Sequence, residues 1–414
     1  MDRVLAVTIA LSLAFYIYIW PKDSIFSGFW VYPRAILDLQ NHVNPYRTDV
    51  QWMFVYHPIV LHAFAKINSF ISIIYFLIIF YVLSTVYIAF EIYQLTIQKR
   101  FNSLQTPIAK KDLVILILAA AAFGGSGIVS FLTGNLTLYL HFLLVASILT
   151  YFRTKASKYG ILFITGVMVF SVIKPYFLAY LILIHYLELS KRNKLLLFFG
   201  GAIGFLLLWI APIIDSNMEY QEFLNALHTQ ILLNDNAGGS FFEIVKIAGA
   251  SNEWGIVIHV AISLGITICG LIYAPRFFRA VKSPQTPLCS FLLLYFILTL
   301  INPRMKIYDL FPGLICFFLW MSQIVKTYTK IMFAGLAGAL CPIFFSLFLA
   351  FFSAITHPNE PLPRSPFSYF VIGHLLGLLL MVIFVFMDQC RKNVKIHQEK
   401  LQIKTQGQHE STVD

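Results

Sequence analysis

Apolar runs of about twenty residues recur along this chain, separated by short segments that carry Lys and Arg. A helix needs about 20 largely apolar residues to cross the hydrocarbon of a bilayer, with roughly 17 to 25 tolerated. Lipid offers no partner to an exposed N–H or C=O, so apolar runs of this length are read as helices. The candidate spans are residues 4–20, 69–91, 113–132, 136–152, 159–173, 175–189, 195–214, 255–275, 288–301, 310–325, 331–355 and 367–387. The fold class expected is therefore an all-α integral membrane bundle of about 12 transmembrane helices, with 10–13 as the range.

Composition excludes the main alternatives. The chain is 59% hydrophobic and only 12% charged, and its mean hydropathy is +0.77. Soluble domains carry about 25% charged residues, roughly twice that supply. The net charge of +11 does not imply nucleic acid, because the cations form short runs between apolar stretches and no clustered patch. With the N-terminus in the cytoplasm, 21 of the 30 Lys and Arg fall in inner segments. That bias is the one that sets membrane topology, and it puts both termini inside. Val4–Trp20 has no small-residue cleavage site before Pro21 and Lys22, so it is expected to be an uncleaved signal anchor. A bacterial inner (plasma) membrane is the expected location.

Two outer loops, 21–68 and 215–254, are too long to be plain connectors. Trp30, Ile36 and Leu37 in the first, and Phe223, Leu224, Leu227, Ile231 and Leu232 in the second, suggest helices lying at the interface. Residues 1–390 are expected to form one membrane domain, and 391–414 a polar cytoplasmic tail. The five cysteines show no CxxC or CxxH spacing, and His57 and His62 are poorly spaced for one helix face, so no metal is expected. No D-x-D and no phosphate-cradling G-x-x-x-x-G-K-[ST] loop occurs.

Charges beside apolar helices are costly, so their positions carry information. Lys174 sits in Val172-Ile173-Lys174-Pro175-Tyr176, where Pro175 removes a backbone donor and breaks the helix. It either faces a polar cavity and holds a phosphate or snorkels to the headgroups. Arg304, Lys306 and Asp309 bring two cations and an acid to the outer ends of two helices, which suits an anionic group. Asn135, after Gly134, links two spans and is either a site residue or a turn. His228 lies in the second outer loop and could orient a sugar or a phosphate.

A first outer loop carrying Asn44-Pro45-Tyr46, followed by Phe54-Val55-Tyr56-His57-Pro58, resembles glycosyltransferase family 87. Gly134-Asn135, Lys174-Pro175, Asn234–Ser240 and Asn302–Asp309 follow in the family's order, so the resemblance spans roughly residues 1–325. It implies a GT-C-like bundle that moves a hexose, typically mannose, from a polyprenyl-phosphate donor to a lipid or glycan acceptor outside the cytoplasm. The partners implied are membrane lipids and these two substrates, with no further cofactor. Tyr46, Tyr56, His57, Asn135, Lys174, His228, Arg304, Lys306 and Asp309 would line the site, with the cations meeting the leaving phosphate.

The family's catalytic carboxylate falls near Gly28 here, so the base is sought in Asp23, at the mouth of the first helix, or in Asp38. Asp38 lies four residues after Arg34, which an ordinary helical ion pair explains. The readings from other classes are a lipid-linked-sugar transporter or flippase, and a non-catalytic subunit of a cell-envelope assembly that has lost the base.

Overall fold

The computed structural model describes residues 27–50, 53–97, 126–214, 218–230, 240–247, 249–280, 286–324 and 355. The regular elements among them are twelve α-helices and one 3₁₀ helix. They are α1 (Ser27–Gln40), α2 (Pro58–Asn68), α3 (Ile73–Ile97), α4 (Ser126–Thr133), α5 (Leu136–Thr154), α6 (Ser157–Ile173), the 3₁₀ helix Pro175–Tyr186, α7 (Lys191–Ile214), α8 (Met218–His228), α9 (Phe241–Ile247), α10 (Asn252–Ala280), α11 (Thr286–Leu300) and α12 (Ile307–Ile324). The chain divides into two compact units, 1–323 and 324–414. The expected spans 4–20 and 367–387, the expected boundary at 390 and nearly all of 331–355 lie outside the described residues, as does 113–125.

Among the described residues, four helices are long and apolar enough to cross a membrane, over Ile73–Ile92, Leu136–Thr154, Lys191–Ile210 and Asn252–Ile272. Their surfaces are distributed as lipid demands. On α3, Tyr75, Ile79, Val82, Leu83, Val86 and Phe90 are exposed, whereas Leu77, Tyr81, Ser84 and Glu91 face inward. The outward faces of α7 and α10 are equally apolar, with Leu196, Ile203, Leu207, Val257, Leu264 and Ile268 exposed. Continuous apolar faces of this length would be an aggregation hazard in water. Polar groups turn instead towards the interior, where they find partners. Arg153 on α5 donates to both carboxylate oxygens of Glu91 on α3, at 2.6 and 3.2 Å. Beside that pair Tyr87 and Thr150 share a hydrogen bond of 2.8 Å.

Helix α5 forms the centre, buried almost throughout from Leu136 to Phe152 and flanked by α3 and α6. The stretch expected as a span over 175–189 is a 3₁₀ helix that touches α6, α7 and α11. Its side chains repeat every three residues, and Phe177, Tyr180, Leu183 and Tyr186 are all buried. Pro175 starts it at the first helical position, and Lys174 stands between it and α6 with φ −138° and ψ 109°. An extended residue followed by proline is a helix boundary, and that separates what would otherwise be one continuous apolar rod.

The stretch expected as the first outer loop contains a helix, α1, but the expected interfacial stripe is split. Ile36 is buried with Tyr32 and Ala35, whereas Trp30 and Leu37, seven residues apart on one face, are exposed. Contact between α1 and α2 and the α4 end of the bundle takes precedence over one continuous apolar stripe. The second loop's helix is α8, with Phe223 buried and Leu224 and Leu227 half-buried; Ile231 and Leu232 lie outside the described residues.

Candidate functional site

Site construction begins at the Pro58 helix. His57 caps it, its Nδ1 accepting from the Ile59 N–H at 3.2 Å, which settles one of the donors a helix start leaves open. A ring so oriented is buried against Trp209, Tyr220 and Phe223. The stretches expected as two long outer loops therefore meet here: Tyr46 also packs on Phe223, and His62 hydrogen-bonds Glu219 at 3.0 Å. Asn44 accepts from the Tyr46 N–H at 2.7 Å in an Asx turn, and the Tyr46 hydroxyl donates to the Tyr56 carbonyl at 3.2 Å. The Asn-Pro-Tyr element thus fixes the Tyr56 backbone and touches the site only through it.

Tyr56 is the floor of the site. Its hydroxyl shares a hydrogen bond of 2.9 Å with Tyr32 of α1, and the Lys174 ammonium lies 4.5 Å from its ring centre. A cation over an aromatic face is held by the ring quadrupole. Asn135 caps α5 by accepting from the Thr137 N–H at 3.0 Å. Gly134 before it has φ +62°, a left-handed value that glycine adopts without strain.

Across from Lys174, the segment 302–309 turns sharply into α12. Asn302 accepts from the Arg304 N–H at 3.1 Å, and Asp309 accepts from the Lys306 N–H at 3.0 Å. The other oxygen of Asp309 accepts from the Tyr176 hydroxyl at 2.8 Å. Lys174, Arg304 and Lys306 lie within electrostatic range of this one buried carboxylate, as do Tyr56, Tyr176 and Tyr308. Both lysines are half-buried, set deep among protein atoms with one face left open.

Burial pushes the Lys174 ammonium down to about 8, with Arg304 repelling it and Asp309 opposing the shift. Burial and the same neighbour hold Lys306 well below the usual lysine range. Asp309 is raised by burial, against the Lys306 N–H, the Tyr176 hydroxyl and the charges of Lys174 and Arg304. Acid and bases all move towards neutrality, so desolvation outweighs their attraction for one another. Lys174, Arg304 and Lys306 make a basic surrounding for Asp309, of the kind that suits an anionic group.

Beside this cluster runs an open apolar groove of about 580 Å³, lined by Leu224, Leu227, His228, Phe242, His259, Val260, Ser263, Leu264, Ile301 and Pro303 among others. Val260 and Leu264 belong to the exposed face of α10, so the groove opens where lipid would lie. Its lining includes Ile301 and Pro303, and Pro303 directly precedes Arg304 in the chain.

Not every expected site residue joins this arrangement. Tyr56, Asn135, Lys174, Arg304, Lys306 and Asp309 come together, Tyr46 and His57 support them from behind, and His228 is exposed at the end of α8 on the groove wall. Asp38, in the last turns of α1, has Arg34 and Arg47 as its electrostatic neighbours. Asp49 pairs with Arg47 at 3.0 Å on the surface. Asp23 and residues 231–239 lie outside the described residues. A Cβ on Gly28 would come within 2.6 Å of the Thr133 carbonyl oxygen and 3.0 Å of Gly134, so a helix crossing occupies the position where the family resemblance looks for a carboxylate. Tyr176, Tyr308, Tyr32 and the buried His141 escaped the sequence reading; Tyr176 directly follows Lys174-Pro175, and His141 is a lone polar ring inside an apolar run. No protein-family model matches the chain, and no curated protein or solved structure matches it either.

Proposed function

We propose that this protein is a membrane hexosyltransferase that takes a sugar, mannose in the family it resembles, from a polyprenyl-phosphate donor and passes it to a lipid or glycan acceptor on the non-cytoplasmic side. The observation that carries this reading is the set of Lys174, Arg304 and Lys306 within electrostatic range of Asp309, next in the chain to Pro303 on the wall of an apolar groove. A phosphate joined to a long apolar chain is the ligand whose two halves match these two surfaces. In this reading the chain is a GT-C-like bundle of about 12 spans, with both termini in the cytoplasm of a bacterial inner membrane.

An acceptor hydroxyl attacks the anomeric carbon, the bond from that carbon to the phosphate oxygen breaks, and polyprenyl phosphate leaves with the bonding pair. The hydroxyl proton passes to a carboxylate, Asp23 or Asp38. Negative charge grows on the departing phosphate, where the three cations stabilise it more strongly than in the ground state. Asp309 has both oxygens engaged by Tyr176 and Lys306 and serves as the counter-ion that keeps the cations in place when the site is empty.

The test is sugar transfer in reconstituted membranes from labelled polyprenyl-phosphate mannose, comparing wild type, Asp23→Asn and Asp38→Asn at matched expression. Transfer abolished by one substitution alone supports the transferase and names its base. Wild-type protein that binds the lipid phosphate but transfers no sugar, across several donors and acceptors, overturns it in favour of a lipid-linked-sugar transporter or a non-catalytic subunit.

A further inference from the structure

His141 stands fully buried on α5, within a largely apolar bundle, where an aliphatic side chain would cost less. Both of its ring nitrogens are engaged. Nδ1 is 2.8 Å from the Tyr295 hydroxyl on α11, and Nε2 is 3.3 Å from the Tyr176 hydroxyl on the 3₁₀ helix. The ring stacks on Tyr176 at 23° and packs on Phe177 with centroids 4.6 Å apart, which fixes its plane.

The chemistry of the partners gives this chain a direction. An ionised carboxylate only accepts, so the single Tyr176 proton goes to Asp309 over 2.8 Å. The Tyr176 oxygen can then only accept from His141, which requires the hydrogen on Nε2. Nδ1 is left as the acceptor for Tyr295. Four elements are joined in one sequence of donors, Tyr295 to His141 to Tyr176 to Asp309, which ends on the carboxylate among the three cations.

We infer that His141 is a positioning residue: by donating to the Tyr176 oxygen it holds the Tyr176 proton on Asp309, and so sets where the cations stand beneath the bound anion. The inference rests on the proposed function for its purpose and on the hydrogen-bond chain for its existence. If His141 were only a link between helices, its loss would lower stability and leave Asp309 unaffected. As a positioning residue it acts on the reacting geometry, where a misplacement of about 1 Å costs on the order of a hundredfold in rate.

Two measurements on the full chain in lipid nanodiscs test this separately. The first is ¹⁵N NMR of histidine-labelled protein, with the His141 signals identified by their loss in His141→Gln. The expected signature is the neutral ring protonated on Nε2, with that nitrogen shifting in Tyr176→Phe and Asp309→Asn. A ring protonated on Nδ1, an imidazolium, or signals indifferent to both substitutions would overturn the relay. The second is transfer kinetics from polyprenyl-phosphate mannose. His141→Phe is expected to lower kcat about ten- to a hundredfold with KM within about threefold, whereas His141→Gln, which can donate and accept in the same two places, recovers most of the rate. Equal losses in the two variants, or a lowered melting temperature with kcat intact, would reduce His141 to a structural link. Wild-type protein with the expected NMR signature but no transfer removes the proposed enzyme and leaves the relay standing.

Discussion

The Lys174 ammonium lies 4.5 Å from the centre of the Tyr56 ring. These two residues belong to distant parts of the chain, one at the break between α6 and the 3₁₀ helix, the other between α1 and α2. Their contact joins the cation cluster to the Asn-Pro-Tyr loop, so the residue whose ring holds Lys174 is itself held by Tyr32 and Tyr46.

Lys174→Ala is expected to weaken binding of polyprenyl phosphate about ten- to a hundredfold, the value of one charge-assisted contact of about 1.5–3 kcal/mol. Binding of a fluorescent or radiolabelled lipid phosphate to the purified protein in nanodiscs measures it. An unchanged affinity would mean that Lys174 faces the ring alone and not a ligand.

Affinity for the same anion should fall as pH rises through about 8, where the Lys174 ammonium of the empty site loses its proton. The charged form binds the phosphate, so each further pH unit weakens binding by up to about tenfold. The sign for stability is opposite. The folded value lies below that of the unfolded chain, so the unliganded protein gains stability on this group from about pH 8 up to the ordinary lysine range. Titrations at several pH values, compared with Lys174→Gln, separate this lysine from the others.

Gly28→Ala should destabilise the protein by about 1–3 kcal/mol, because the new Cβ meets the Thr133 and Gly134 backbone and neither can give way. Gly28→Asp should be at least as damaging and should restore no transferase activity. Thermal unfolding in detergent checks both; a Gly28→Asp variant with raised activity would contradict the crossing.

Glu91→Gln and Arg153→Met each leave one buried charge without its partner, at an expected cost of about 3–5 kcal/mol. The double variant Glu91→Leu, Arg153→Met should be less damaged than either single change, since no charge remains uncompensated. A melting-temperature cycle across the four proteins reads this coupling directly.

The helical, membrane-suited character of the chain was written in its sequence, because apolar length is a local property that needs no tertiary partner to read. The helices α3, α5, α7, α10, α11 and α12 fall close to the expected runs for that reason. The grouping of Lys174 with Arg304, Lys306 and Asp309 was partly legible too, since each is a charge beside an apolar run. Other features depended on packing. The twelve residues from Pro175 to Tyr186 took the 3₁₀ form with a three-residue repeat that an apolar run hides, because hydropathy registers only that every position is apolar. Hydropathy also cannot tell which face of an all-apolar helix meets lipid and which meets protein. Nor can it tell that His141, 35 residues before Tyr176 and 168 before Asp309, completes a line of hydrogen bonds into the site. Sequence determined what could enter the membrane, because transfer from water to lipid is close to additive along a segment. Tertiary structure decided which polar groups face one another inside it, because hydrogen bonds depend on distances of a few tenths of an ångström that only the folded chain sets.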